Sequence, residues 1–297
     1  MVSISLGLAG EGEVSERFGR NAAFASAGTG LAAAAMGACG YYLSNRAVFY
    51  LTAALALPAL FALWRISPAE IGPASDAARG EKTSAHSLAQ GASELIRNRA
   101  FVIFAGCIVM FHLANAAMLP LAASMLTLRS SQAATIMVAA AIVVPQFTMT
   151  ALSPWVGRLA HFRGRRLLLF AGFLALALRG LLFSLTNVPE FLVMGQALDG
   201  VSAAVLAVLV PLTIVDLTHG RHFNLAQGMV GCAVGVGGAA STTLAGYVSD
   251  RFGSHAAFDM LTLIATAGCF AVALLMPETR PQAPGPSDGV RRDSVSR

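Results

Sequence analysis

Apolar residues in this chain fall neither in strict alternation nor on one stripe of a 3.6-residue period. They come in runs long enough to cross a bilayer, which takes about 20 mostly apolar residues. Eight such runs stand out, 22–43, 47–66, 100–126, 132–153, 167–186, 190–215, 224–247 and 256–276, separated by polar breaks. Each predicts a helix, because unpaired backbone amides are too costly in hydrocarbon and barrel-type alternation is missing. The Gly and Pro inside the runs suit membrane helices better than soluble ones. The expected fold is all-α: a polytopic membrane protein with eight transmembrane helices.

Charge tests that count. With eight spans the connecting segments alternate between two sides. Sixteen of the 20 Lys and Arg lie in 11–21, 65–99, 157–166, 216–223 and 278–297, and three lie in the opposite loops, so a missed or invented span would scramble the asymmetry. The Arg-rich side is expected to be cytoplasmic, with both termini on it, in an inner (plasma) membrane. A composition 56% hydrophobic and only 12% charged excludes an ordinary soluble domain. The net charge of +5 does not point to nucleic acid, because the basic residues sit in short loops between apolar runs. Cys39, Cys107, Cys232 and Cys269 all fall inside apolar runs without CxxC spacing, and read as small packing residues. Residues 1–10 have no basic residue ahead of their apolar stretch, so no cleaved signal is expected there.

One connection is much longer than the others. Residues 67–99 form a polar linker rich in Ala, Ser, Gly and Pro, and its end, LAQGASELIRNRA, predicts a short interfacial helix. The tail 281–297 has a disordered composition. Two spans precede the linker and six follow it, 100–280. A weak repeat links the parts. Gly19-Arg20 opens the first span and Gly220-Arg221 the seventh, 201 residues later, each before a Gly-rich helix, a short outer loop and another helix. Parallel repeats of this kind occur in transporters.

The stretch WVGRLAHFRGRR carries Gly157, Arg158, Gly164, Arg165 and Arg166 between the fourth and fifth spans. With the long linker, the six spans after it, and GYVSDRFG followed by Phe258 at the last outer loop, the sequence resembles the major facilitator superfamily (MFS) of transporters. The family's loop pattern is Gly-x-x-x-Asp-Arg-x-Gly-Arg-Arg; here His161 stands at the Asp position and Phe162 at the first Arg. In such a hinge the Asp accepts bonds from Arg and from a helix N-terminus. His161 cannot serve as that anion, so the resemblance extends to the frame of the hinge and not to its acidic latch.

The resemblance implies twelve helices in two six-helix halves, with the eight spans here similar to the fifth through twelfth. Residues 1–66 then read as a remnant of the first half, lacking its first three to four helices. The implied activity is secondary transport by alternating access: a proton-coupled permease, an efflux protein for small organic molecules, needing no cofactor. Transport by this chain alone is doubtful on that reading, and the alternatives are a non-transporting fragment or a half-transporter that needs a partner. An integral membrane enzyme is less favoured, because no catalytic Ser-His-Asp order, His-carboxylate helix motif or phosphate-binding loop appears.

The charges inside the spans are the candidate proton and substrate pathway. Arg179 and Asp199 lie at equal distances from residue 189 in the outer turn, about 15 Å down their helices at 1.5 Å per residue. Antiparallel neighbours bring them to one depth, where a pair is far cheaper than a lone charge. An ion pair is expected, with Gln196 as a possible third member. It acts either as a static clamp or as a mobile pair that breaks when a proton or substrate binds. His112 and Asn115 share a face of the third span, Gln146 follows Pro145 in the fourth, and Pro211 interrupts the sixth, so all can line a polar cavity. His112 is the candidate proton carrier, with an interhelical hydrogen bond as its alternative role. Asp216, His219 and His222 have the spacing of a metal site, but a solvated loop explains them equally well and no metal is expected.

Overall fold

A computed structural model describes residues 14–65, 85–129, 131–218 and 222–279. Among them, eight helical spans are long and apolar enough to cross a membrane, and the protein is a multi-pass membrane protein. In chain order the helices are α1 (Val14–Tyr42), α2 (Asn45–Trp64), α3 (Ala85–Arg97), α4 (Arg99–Asn115), α5 (Met118–Arg129), α6 (Ser131–Arg163), α7 (Arg165–Leu185), α8 (Pro189–Thr218), α9 (Phe223–Phe252) and α10 (Ser254–Leu275). The first part of the linker and the tail beyond Thr279 lie outside the described residues.

Helix starts follow from local chemistry. Ser44 caps α2 by accepting from Ala47 N at 3.2 Å. Asn98 accepts from Ala100 N and Phe101 N to open α4, and its amide donates to Leu217 O at the end of α8. The α3 helix covers the expected interfacial segment and packs on α4 and α9.

The helices join in a continuous sequence of contacts. The α2 helix packs chiefly on α1, α1 lies along α6, α6 along α8, α8 along α7, and α7 along α10, which shares α4 with α9. Because lipid tails are as apolar as Leu, helices associate in the bilayer by close packing rather than by leaving water. Small residues allow that approach. Gly268 lies against the Phe173 ring, and Gly172 lies against Val205. Phe111 meets Phe173 edge-on at 5.3 Å and Phe183 meets Phe258 at 5.4 Å. A close backbone approach joins α1 to α6, where a Cβ on Gly157 would stand 2.6 Å from Ser15 O and 3.1 Å from Gly19 Cα. Gly157→Val should therefore lower the melting temperature, overpacking costing about 1–3 kcal/mol. Gly106→Val, where nothing stands within 4 Å, should leave the melting curve of the detergent-solubilised protein unchanged.

Two expectations need correction. The run 100–126 is not one uninterrupted helix. It breaks at residues 116–117, between α4 and α5. Pro120 explains the break: it has no N–H for the carbonyl of residue 116, and its ring crowds that carbonyl. The segment 157–166 is not a loop either. The α6 helix runs through Arg163 and α7 starts at Arg165, leaving Gly164 alone as the joint. Its φ of 90° is a conformation that side-chain-bearing residues rarely adopt.

Candidate transport site

The α7 and α8 helices are antiparallel neighbours joined by the turn at 186–188, and they bring Arg179 and Asp199 together. Arg179 Nη1 donates to Asp199 Oδ1 at 2.5 Å and to Asn115 Oδ1 at 2.7 Å. Asn115 is the last residue of α4, so its side chain meets the guanidinium from the end of that helix. Arg179 Cζ stands 5.4 Å from the centre of the Phe183 ring, which adds a cation–π contact. The break after Asn115 thus places a side-chain amide at the depth of the ion pair.

The two charges differ in access. The Arg179 side chain is 1% exposed and that of Asp199 is 21% exposed, so the carboxylate is the more accessible of the two. His112 lies one turn before Asn115, half-buried, edge-on to Phe111 at 5.5 Å and within electrostatic reach of Asp199. Gln196 lies one turn from Asp199 and is fully buried, yet neither its Oε1 nor its Nε2 has a partner; Arg179 Nε also lacks one. Gln196 therefore does not share the ion pair. Gln146 is placed elsewhere too. The Ser26 hydroxyl stands 2.8 Å from both its backbone carbonyl and its Oε1, tying α6 to α1. Among the described residues, no group of three His, Cys, Asp or Glu could hold a metal.

A second polar cluster sits at the α6–α7 joint. Arg165 is buried; its Nε donates to Asp216 Oδ2 at 2.9 Å and its Nη1 to Ala160 O at 2.7 Å. Glu278, beyond the end of α10, accepts from Arg165 N at 2.8 Å and from Arg166 N at 3.2 Å. The Arg166 side chain donates to Ala273 O. A carboxylate at a helix N-terminus is well placed, because the first amides of α7 have no helical partner. Glu278 thus supplies the anion that His161 cannot, and it comes from 112 residues away in the chain. His161 itself is exposed in the last turn of α6, edge-on to Phe162 at 5.0 Å. Arg158 reaches Glu16 at 3.6 Å across the α1–α6 contact, with both side chains largely exposed.

Asp216 is therefore a partner of Arg165 and Thr279, while His222 faces Glu94 at 3.7 Å, and His219 is outside the described residues. Sequence reading missed Glu278, Ser26 and Ser241. Glu278 follows the last span in the segment PETR, where an acidic residue close to the Arg-rich joint was the available signal.

The profile of the Major Facilitator Superfamily matches residues 110–295, well over half of the chain. The chain belongs to the Major Facilitator Superfamily. Relatives agree with this. Two uncharacterized MFS-type transporters of Mycobacterium tuberculosis are each 37% identical over 284 residues, covering 94% of this chain and 67% of the relative. The inner membrane transport protein YajR of Escherichia coli is 26% identical over 141 residues, 48% of this chain and 31% of that protein. The superfamily's members handle small-molecule substrates, and Arg179, Asp199 and Asn115 lie within a fold of that family.

Proposed function

We propose that the protein is a proton-coupled secondary transporter that exports small organic molecules by alternating access. It acts in the inner membrane with both termini cytoplasmic, a location also carried by the name of the Escherichia coli relative. The observation that carries this reading is the asymmetry of the central pair: a buried arginine held by a carboxylate that keeps access to its surroundings. Protonating Asp199 removes the charge that holds Arg179. The guanidinium then depends on Asn115 and the Phe183 ring, and the pair becomes the mobile element of the cycle. His112 is positioned to pass the proton, and Gln196 offers unspent bonding capacity beside the pair. The cluster of Arg165, Asp216 and Glu278 closes the cytoplasmic side between turnovers. In this reading residues 1–66 belong to the first half, 67–99 link the halves, 100–280 form the second half and 281–297 a tail.

A second reading, transport only in assembly with helices from a partner, is favoured by α2, whose span has no buried residue. Purified protein in liposomes loaded with a pH-sensitive dye separates the two. Adding a panel of lipophilic organic cations should drive proton movement in the wild-type protein, and Asp199→Asn should reduce it at least 10-fold. No flux at all would leave the partner reading. Undiminished flux in Asp199→Asn would remove Asp199 from the proton path.

A further inference from the structure

The break between α4 and α5 has an unusual hydrogen-bond arrangement. In an uninterrupted helix, Ala117 N would donate to the carbonyl of residue 113. Here it donates to the hydroxyl of Ser241 on α9 at 3.1 Å, in a buried contact between residues 124 positions apart. The carbonyl of residue 116 has no helical donor in either case, because its partner would be Pro120. The amide of residue 117 is different: it has two possible acceptors, one within its own helix and one across the interface.

Everything around this amide is tightly enclosed. Ser241, Ala114 and Met118 are 0% exposed. One turn back on α9, a Cβ on Gly237 would stand 2.5 Å from Val109 O, 3.1 Å from His112 Cβ and 3.2 Å from Leu113 N. The backbone of α9 thus rests directly on the last turns of α4. At this depth no water replaces a lost acceptor, so a buried amide is expensive to leave unpaired. The residue that the break terminates is Asn115, whose Oδ1 takes the second bond from Arg179.

From this geometry we infer that Ser241 is a positioning residue: its hydroxyl holds the α4–α5 break open and so fixes Asn115 against Arg179. The break is then a two-state joint. With Ala117 N on Ser241, α4 ends at Asn115 and the side-chain amide is presented to the ion pair. With Ala117 N returned to the carbonyl of residue 113, α4 continues another turn, Asn115 rotates with it, and α5 changes direction relative to α9. Its consequence for the movement of Arg179 rests on the transport reading above; the joint itself does not.

The test therefore measures the joint without transport. In a chain whose four native cysteines are replaced by alanine, spin labels are attached at Thr127 near the far end of α5 and at Phe252 at the end of α9, both exposed. The distance between them is read by pulsed electron resonance in nanodiscs. The wild-type background should give one narrow distribution. Ser241→Ala should add a second population, and hydrogen exchange at the amide of residue 117 should rise at least 10-fold with no change in α8. In a Pro120→Ala background the carbonyl of residue 116 gains a donor and the closed form is favoured whatever stands at 241, so Ser241→Ala should there change neither readout. An unchanged distribution and exchange rate in Ser241→Ala would overturn the inference, as would the same response in both backgrounds. If Ser241→Ala does not insert, Ser241→Gly, which also lacks the hydroxyl acceptor, is measured in the same way and judged by the same outcomes. Proton flux in the same liposomes separates the two claims. A shifted joint with no wild-type flux removes the transport reading and keeps the joint, whereas wild-type flux with an unmoved joint does the reverse.

Discussion

Replacing Asp199 with Leu should destabilise the protein by about 3–5 kcal/mol, because it leaves the guanidinium of Arg179 buried without its counter-charge. Arg179→Met should do similar harm from the other side, since the carboxylate and Asn115 Oδ1 both lose their donor. The double replacement should lose far less than the sum, because a matched pair of apolar side chains needs no partner. Asn115→Ala should fall between wild type and the single charge changes, about 1–3 kcal/mol, since it removes one acceptor from a charged donor. Denaturation of the four variants in micelles measures the cycle. If the double variant is as damaged as the singles added together, the two residues do not act as a pair. Proton flux on the same samples tells a static clamp from a mobile pair. A clamp predicts that the stable double variant still transports, whereas a mobile pair predicts a stable protein that does not.

The second large effect is expected at the joint between α6 and α7. Asp216→Leu isolates Arg165, whose side chain is only 8% exposed, and should cost about 3–5 kcal/mol. Glu278→Gln keeps a hydrogen-bond acceptor but loses the charge at the N-terminus of α7, a smaller loss of about 0.3–1 kcal/mol. His161→Asp, which restores the acidic residue of the family's loop pattern, should change stability by less than about 0.5 kcal/mol. Its position is exposed, and the amides at the start of α7 already have Glu278. Thermal melts of the three variants give the ranking. A marked gain from His161→Asp would mean that Glu278 does not fill the anionic role.

These predictions draw on different levels of information. The spans, their number and the bias of basic residues to one side were legible along the chain, because lipid imposes the same demand on every crossing segment and meets it locally. The depth of Arg179 and Asp199 was legible for a similar reason: two helices joined by a short turn run antiparallel, and rise per residue sets the level of each. The break at 116–117 also had a local signal in Pro120, but the third run was apolar throughout and its hydropathy concealed the interruption.

Partner choice was not legible. Gln196 was the third member expected from sequence and Asn115 a cavity-lining residue; that Asn115 reaches Arg179 instead depends on where α4 ends and how α4 faces α7. Gln146 read as a cavity-lining residue by pattern, and its bond to Ser26 of α1, 120 residues away, had no signal along the chain. Asp216 had metal-like spacing but was equally explained by a solvated loop, and it is the counter-charge of Arg165. The replacement of a missing acidic residue at position 161 by Glu278 joins segments more than 100 residues apart.

The sequence by itself determined the solvent of this protein, the course of its spans and the level at which its buried charges lie, because the bilayer acts on each helix one at a time. Only the tertiary structure decided which groups satisfy those charges. A buried hydrogen bond depends on a few tenths of an ångström between helices that the chain brings together from far apart, and no periodicity along one helix encodes that distance.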